Sequence, residues 1–112
     1  MTNGLVTIRK NGVVVMKIVT GCDGSFAPKL ARNIRQRWPM TIGEVYDTAL
    51  RLKFGTVEHL VVITEEEVKV DDYTSRAEFC AEHPLYAATF RNPAFNPRWE
   101  DGFAAFTEIV DL

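Results

Sequence analysis

The sequence has little of what marks several protein classes. Only two of its 112 residues are cysteine, which excludes a disulfide-dense mini-protein. No uninterrupted apolar run is longer than four residues, as over 13–16, whereas a membrane-spanning helix needs roughly 20. The N-terminus lacks a basic stretch followed by an apolar one, so no secretory signal is expected. We therefore expect a cytoplasmic protein that makes no contact with a membrane.

The composition is that of an ordinary folded domain. Hydrophobic residues make up 46% of the chain and charged residues 25%, close to the average for soluble globular proteins. A length of 112 residues leaves little room for a second domain. We expect residues 1–112 to form a single domain.

Charge is unevenly distributed along the chain. Residues 1–55 contain nine basic and three acidic residues, whereas 56–112 contain four basic and twelve acidic residues. Such asymmetry predicts a surface with two regions of opposite sign, provided that the two halves do not interleave in space. The alternative is internal, because two halves of opposite charge also attract each other within one fold.

Two hairpins are predicted from apolar runs and turn residues. Asn11-Gly12 separates two β-rich runs, and both residues tolerate the positive φ that a two-residue type I′ turn requires. The second run is richer in valine and isoleucine, so we expect it to lie deeper in the sheet. Residues 57–64 and 68–70 predict a third and a fourth strand around a polar turn.

Helical spacing predicts two helices between these hairpins. The first is capped by Ser25, has Pro28 in its first turn, ends before Pro39 and carries an apolar face. The second begins at a capping box formed by Thr41 and Glu44. The first apolar face consists of Leu30, Ala31, Ile34 and Trp38.

Two further helices are predicted in the C-terminal half. A second capping box, Ser75 to Glu78, starts the third helix, and Asn96 caps the fourth. The aromatic and apolar face of the fourth helix is Trp99, Phe103, Phe106 and Val110. The order β-β-α-α-β-β-α-α predicts an α+β fold, with a mostly antiparallel four-stranded sheet made of two hairpins and helices packed on one face.

The start of the chain resembles a group of small uncharacterised bacterial and phage proteins. The resemblance rests on a leading hairpin, on Asp23-Gly24 at the start of a helix, and on Leu30 within that helix. In that group a strand ends in an aromatic-Asp-Gly-Tyr-Pro step, whereas this chain has Cys22 before and Ser25-Phe26 after the Asp-Gly pair. The resemblance covers about the first third of the chain and implies a β-β-α opening, with no assigned chemistry.

An enzyme or a ligand-binding site is one hypothesis. Cys22 precedes a helix N-terminus, which favours the thiolate, and His59 or His83 would supply a base. The neighbouring Asp23 disfavours the thiolate, and no oxyanion-hole motif accompanies it. Cys80 and His83 have a chelating spacing, but only one such close pair exists. We expect no catalytic residue, no metal and no cofactor.

Three segments are candidates for binding through a surface. The first is an acidic row that would take a basic partner, the second an irregular aromatic loop with the composition of interface anchors, and the third a basic helix face. An acidic row also suits a solvated hairpin tip, and a basic face also suits a solvated helix. The three sets are Glu65, Glu66, Glu67, Asp71 and Asp72; Phe95, Arg98 and Trp99; and Lys29, Arg32 and Arg35.

The leading hypothesis is a small non-catalytic protein that acts by protein–protein contact, with a basic protein partner or a second copy of itself. The size of the chain and the phage-like resemblance make an inhibitor of host defence, of the anti-CRISPR type, its concrete form. The alternatives are an enzyme or ligand-binding domain centred on Cys22, Asp23 and His59, and a nucleic-acid binder that uses the first helix. An acidic pI near 5.7 makes nucleic acid the less favoured partner.

Overall fold

A computed structural model describes residues 4–21, 25–52, 59–64, 67–71 and 105–112. This part of the chain contains five strands and two helices, and neither helix is long and apolar enough to cross a membrane. In chain order the elements are β1 (Gly4–Lys10), β2 (Val13–Gly21), α1 (Ala27–Arg37), α2 (Ile42–Leu52), β3 (His59–Ile63), β4 (Val68–Asp71) and β5 (Phe106–Asp111).

The strands form one sheet in the order β4-β3-β2-β1-β5. The valine-rich β2 is the central strand, as its composition predicts. The pairs β1–β2, β2–β3 and β3–β4 are antiparallel, whereas β5 pairs with β1 in parallel. The class is α+β, but the expectation of a mostly antiparallel sheet of four strands is wrong, because β5 adds a parallel pair and makes the sheet mixed.

The first hairpin is confirmed in its turn geometry. Asn11 has φ 53° and Gly12 has φ 78°, the left-handed conformations that a type I′ turn requires at both central positions. No atom lies within 4 Å of where a Cβ would stand on Gly12, so glycine is needed there for its backbone and not for space. The register shifts between Ile8 and Arg9, next to the turn.

Helix α1 buries the face that its spacing predicts. Leu30, Ala31 and Ile34 are fully buried, and Trp38 is half-buried against the same core. The predicted cap is wrong: the helix begins at Ala27, so Phe26 takes the capping position and makes no side-chain bond there. Ser25 lies one residue too early to cap the helix.

Helix α2 begins with the predicted capping box. The Glu44 N–H donates to Thr41 Oγ1 at 3.2 Å, and the Thr41 N–H donates to Glu44 Oε1 at 3.0 Å. The hydrogen bond from the Thr41 backbone, followed by Thr41's side chain and the positive charge of Arg37, lowers the pKa of the Glu44 carboxyl. This reciprocal pair fixes where the connection from α1 turns into α2.

The last segment contradicts its prediction. Residues 106–111 form β5, not the C-terminal part of a helix. Their exposure alternates with a period of two, which is the period of a strand: Phe106 and Val110 face the core, and Thr107 and Ile109 are exposed. The predicted helix that starts at Ser75 lies outside the described residues, as does the part of the fourth predicted helix before residue 105.

Both faces of the sheet contain buried side chains. Helices α1 and α2 pack on the face that carries Val6, Ile18 and Val62. On the opposite face, which we call the far face, Val61 and Lys17 are also fully buried. Along β5 the far face is exposed to solvent, since Thr107 and Ile109 are both exposed.

Candidate functional site

An ion pair joins β1 to β5 at the rim of the far face. The Arg9 Nε donates to Asp111 Oδ1 at 2.8 Å, and its Nη2 donates to Oδ2 at 2.7 Å, which is a bidentate arrangement. These hydrogen bonds raise the pKa of Arg9 and, together with the charges of Arg9 and Arg35, lower the pKa of Asp111. The pair is exposed to solvent, so its contribution lies in orienting the two strands more than in energy.

An open groove lies beside this pair on the far face. It has a volume of about 410 Å³ and is bounded by strands β1 and β5 and by the hairpin turn. Ile109 on its wall is 46% exposed, which is high for a large apolar side chain. The lining residues are Leu5, Thr7, Arg9, Gly12, Val14, Thr107 and Ile109.

Few large apolar side chains are exposed in the described part of the molecule. The exposed large apolar side chains there are Val13 (54%), Ile109 (46%) and Leu112 (38%). Ile109 pairs with Thr7 in the middle of β1, whereas Val13 pairs with Lys10 beside the turn, and neither Val13 nor Leu112 lines the groove. Ile109 is therefore the exposed large apolar side chain of the groove.

Strand β5 lies at an edge of the described sheet. The Leu112 N–H points to β1, and alternate residues of a strand direct their backbone groups to opposite sides. The backbone groups of Thr107, Ile109 and Asp111 therefore point away from β1. The bond from Arg35 Nη2 to the Ile109 carbonyl, at 2.9 Å, agrees with this direction.

The predicted basic helix face is exposed, but its members differ in what they contact. Lys29, Arg32 and Arg35 are all exposed on α1. Arg35 bonds to the β5 backbone, so part of this basic face supports the sheet edge. Arg37 lies on the other flank, where it lines a cleft of about 250 Å³ with Arg51 of α2.

The predicted acidic set is only partly within the described residues. Glu67 is exposed and closes a tight turn, in which its N–H donates to Thr64 Oγ1 at 3.0 Å. Asp71 is the last residue of β4. The remaining members of the set, Glu65, Glu66 and Asp72, lie outside the described residues, as do Phe95, Arg98 and Trp99 of the aromatic loop.

Of the residues of the enzyme hypothesis, only His59 lies within the described part of the chain. His59 begins β3 and lies opposite Gly21, which immediately precedes Cys22 in the chain. Cys22 and Asp23 themselves lie outside the described residues, as do Cys80 and His83. Within the described ranges, no group of three or more histidine, cysteine, aspartate or glutamate residues could hold a metal ion.

Sequence reasoning missed two features of this region. It did not pair Arg9 with Asp111, because residues 102 positions apart meet only once β5 is recognised as a strand. It also did not anticipate that Lys17, in the central strand, has a fully buried side chain. The signal for Lys17 was present, since it stands between Met16 and Ile18 in the most apolar strand.

Comparison with protein-family models, with curated proteins and with solved structures finds no match to this chain.

Proposed function

We propose that the protein is a small non-catalytic binding module that acts by protein–protein contact through the groove between β1 and β5. The observation that carries this proposal is the 46% exposure of Ile109 on the wall of that groove. Covering an apolar side chain of this size with a partner removes it from water, which favours binding.

Two properties of the region support a protein as the occupant. The wall combines apolar side chains with Arg9, and arginine is enriched at protein interfaces. It also adjoins a strand whose outward backbone groups match those of another polypeptide. An inhibitor of host defence, as the phage-like resemblance implies, is one form of this proposal.

Affinity capture from a lysate of the native host tests the proposal through paired variants. Ile109→Glu places a charge on the groove wall at an exposed position, so the fold is retained while apolar contact is lost. Arg51→Gln, on the cleft between α1 and α2, is the control. We expect a protein that co-purifies with the wild type and with Arg51→Gln, and that is lost with Ile109→Glu.

The same capture profile for all three proteins would contradict the proposed groove. Capture that depends instead on Glu65, Glu66 and Asp72, tested by lysine substitution, would place the contact on the acidic row. That outcome would favour a basic partner.

The register of β3 favours an enzyme centred on Cys22 and His59 as the second candidate. Its supporting observation is the pairing of His59 with Gly21, next to the cysteine. Rapid stoichiometric alkylation of Cys22 at neutral pH, slowed in His59→Ala, would support a reactive thiolate. On the binding proposal, Cys22→Ala captures the partner as well as the wild type does.

A further inference from the structure

The outer edge of β5 presents a short template for another strand. Thr107, Ile109 and Asp111 direct their backbone groups outward, and successive members are about 6.6–6.8 Å apart, as in any extended strand. Arg35 takes the central acceptor of this row, the carbonyl of Ile109. A strand that pairs here must therefore displace a guanidinium group.

Helix geometry places a second arginine beside the first. Arg32 precedes Arg35 by three residues, so the two side chains lie on the same flank of α1. Arg37 points to the opposite flank, since it lines the cleft with α2. Helix α1 contains no acidic residue. The Asp111 carboxylate of β5 is close enough to Arg35 for that arginine to lower its pKa, but both of its oxygens accept hydrogen bonds from Arg9.

We propose that the partner contributes an extended acidic segment, which pairs with the outer edge of β5 and places a carboxylate between Arg32 and Arg35. This rests on the proposed function and names the chemistry of its partner. The incoming backbone replaces Arg35 at the Ile109 carbonyl, and the released guanidinium binds the carboxylate in a charge-assisted contact. Apolar side chains of the segment cover Ile109 on the far face.

Charge and backbone chemistry favour an acidic segment over a second copy of this chain and over a nucleic acid. In a symmetric pair of β5 edges centred on Ile109, each Arg35 would approach the Arg35 of the second copy, and like charges would repel. A nucleic acid has phosphates for the arginines but no alternating N–H and C=O groups for a strand edge. An acidic polypeptide supplies both.

A labelled peptide of ten residues with alternating valine and glutamate is the direct probe, with binding followed by fluorescence anisotropy at physiological salt. Two matched peptides serve as controls: one has lysine in place of glutamate, and one has the glutamate sequence with alternate backbone nitrogens methylated. We expect binding of the acidic peptide alone, because the first control reverses the charge and the second removes the donors of the edge.

Matched variants of α1 test which arginines take part. Arg32→Gln and Arg37→Gln remove the same charge from opposite flanks of one helix. We expect Arg32→Gln to weaken binding of the acidic peptide about tenfold, as the loss of a charge-assisted contact does, and Arg37→Gln to change it less than about twofold. Arg35→Gln should also weaken binding of the acidic peptide. If circular dichroism shows that the Arg35 variant does not fold, Arg32→Gln still tests the arginine contact.

Four results would overturn the inference. The first is an equal loss of peptide affinity in Arg32→Gln and Arg37→Gln, and the second is undiminished binding of the methylated peptide. The third is a single-stranded oligonucleotide that binds more tightly than the peptide. The fourth is a dimer, seen in sedimentation, that Ile109→Glu dissociates. Absence of peptide binding, with capture from lysate still dependent on Ile109, would refute the acidic strand and leave the proposed function standing. Loss of that dependence would refute both.

Discussion

The Arg9–Asp111 pair shows how a single contact ties the end of the chain to its beginning. Hydrogen bonds from Arg9 lower the pKa of Asp111 in the folded protein. The stability that the pair contributes is therefore fully present above the pKa of Asp111 in the unfolded chain, about 3.9. It is lost as the pH falls through the lowered folded pKa. We expect Asp111→Asn to be less stable than the wild type at pH 7, with the difference shrinking below about pH 3.9 in urea titrations. A difference that stays constant down to pH 2 would contradict this assignment.

The capping box of α2 makes a prediction at Thr41. Thr41→Ala removes the oxygen that accepts the Glu44 N–H, and losing such a cap costs about 1 kcal/mol. Chemical denaturation should show this loss in the free energy of unfolding. Gln36→Ala, on the exposed face of α1, is the control and should leave it nearly unchanged.

Burial separates two isoleucines of the same size. Ile34 is fully buried in α1, whereas Ile109 is about half exposed on β5. Ile34→Ala should lower the free energy of unfolding by about 2–5 kcal/mol, and Ile109→Ala should lower it by clearly less. Similar losses from the two substitutions would show that Ile109 is a core residue and not a contact surface.

Elements with strong local signals were predictable from the sequence. Asn11-Gly12 specifies its own turn, and Thr41 with Glu44 specifies the start of α2, because each signal acts within four residues. Strand β5 was not predictable in the same way. The aromatic and apolar residues up to Val110 also fit helical spacing, and pairing with β1, about a hundred residues earlier, decides in favour of a strand.

The direction of the β5 backbone groups makes a prediction about amide exchange. In the free protein, the amides of Glu108 and Val110 point to β1 and should exchange slowly with solvent deuterium, whereas those of Thr107 and Ile109 should exchange faster. Residue-resolved exchange by NMR measures this alternation. Helical chemical shifts over 106–111 would contradict the strand itself.

At the scale of the whole molecule, the two charge halves interleave. The basic N-terminal half supplies Arg9 and Arg35, and both contact β5 from the acidic half. Lys69 of β4 lies 5.9 Å from the centre of the Tyr46 ring on α2, which joins the halves again. The described part thus uses some of the charge asymmetry internally, as the alternative interpretation of the sequence allowed.

The candidate site was only partly predictable for the same reason. The exposure of Lys29, Arg32 and Arg35 follows from helical spacing, so the sequence predicts it. The groove between β1 and β5 depends on a parallel pairing between the two ends of the chain, which no local pattern encodes. The role of Arg35 at the strand edge follows from that pairing and from nothing nearer in the sequence.

The most direct measurement for the central claim is amide exchange in the complex with the protein captured from the host lysate. Saturating partner should slow exchange at the amides of Thr107, Ile109 and Asp111, which point away from β1 in the free protein. Protection that appears only outside residues 105–112, with exchange along β5 unchanged, would contradict the claim that this edge and its groove bind the partner.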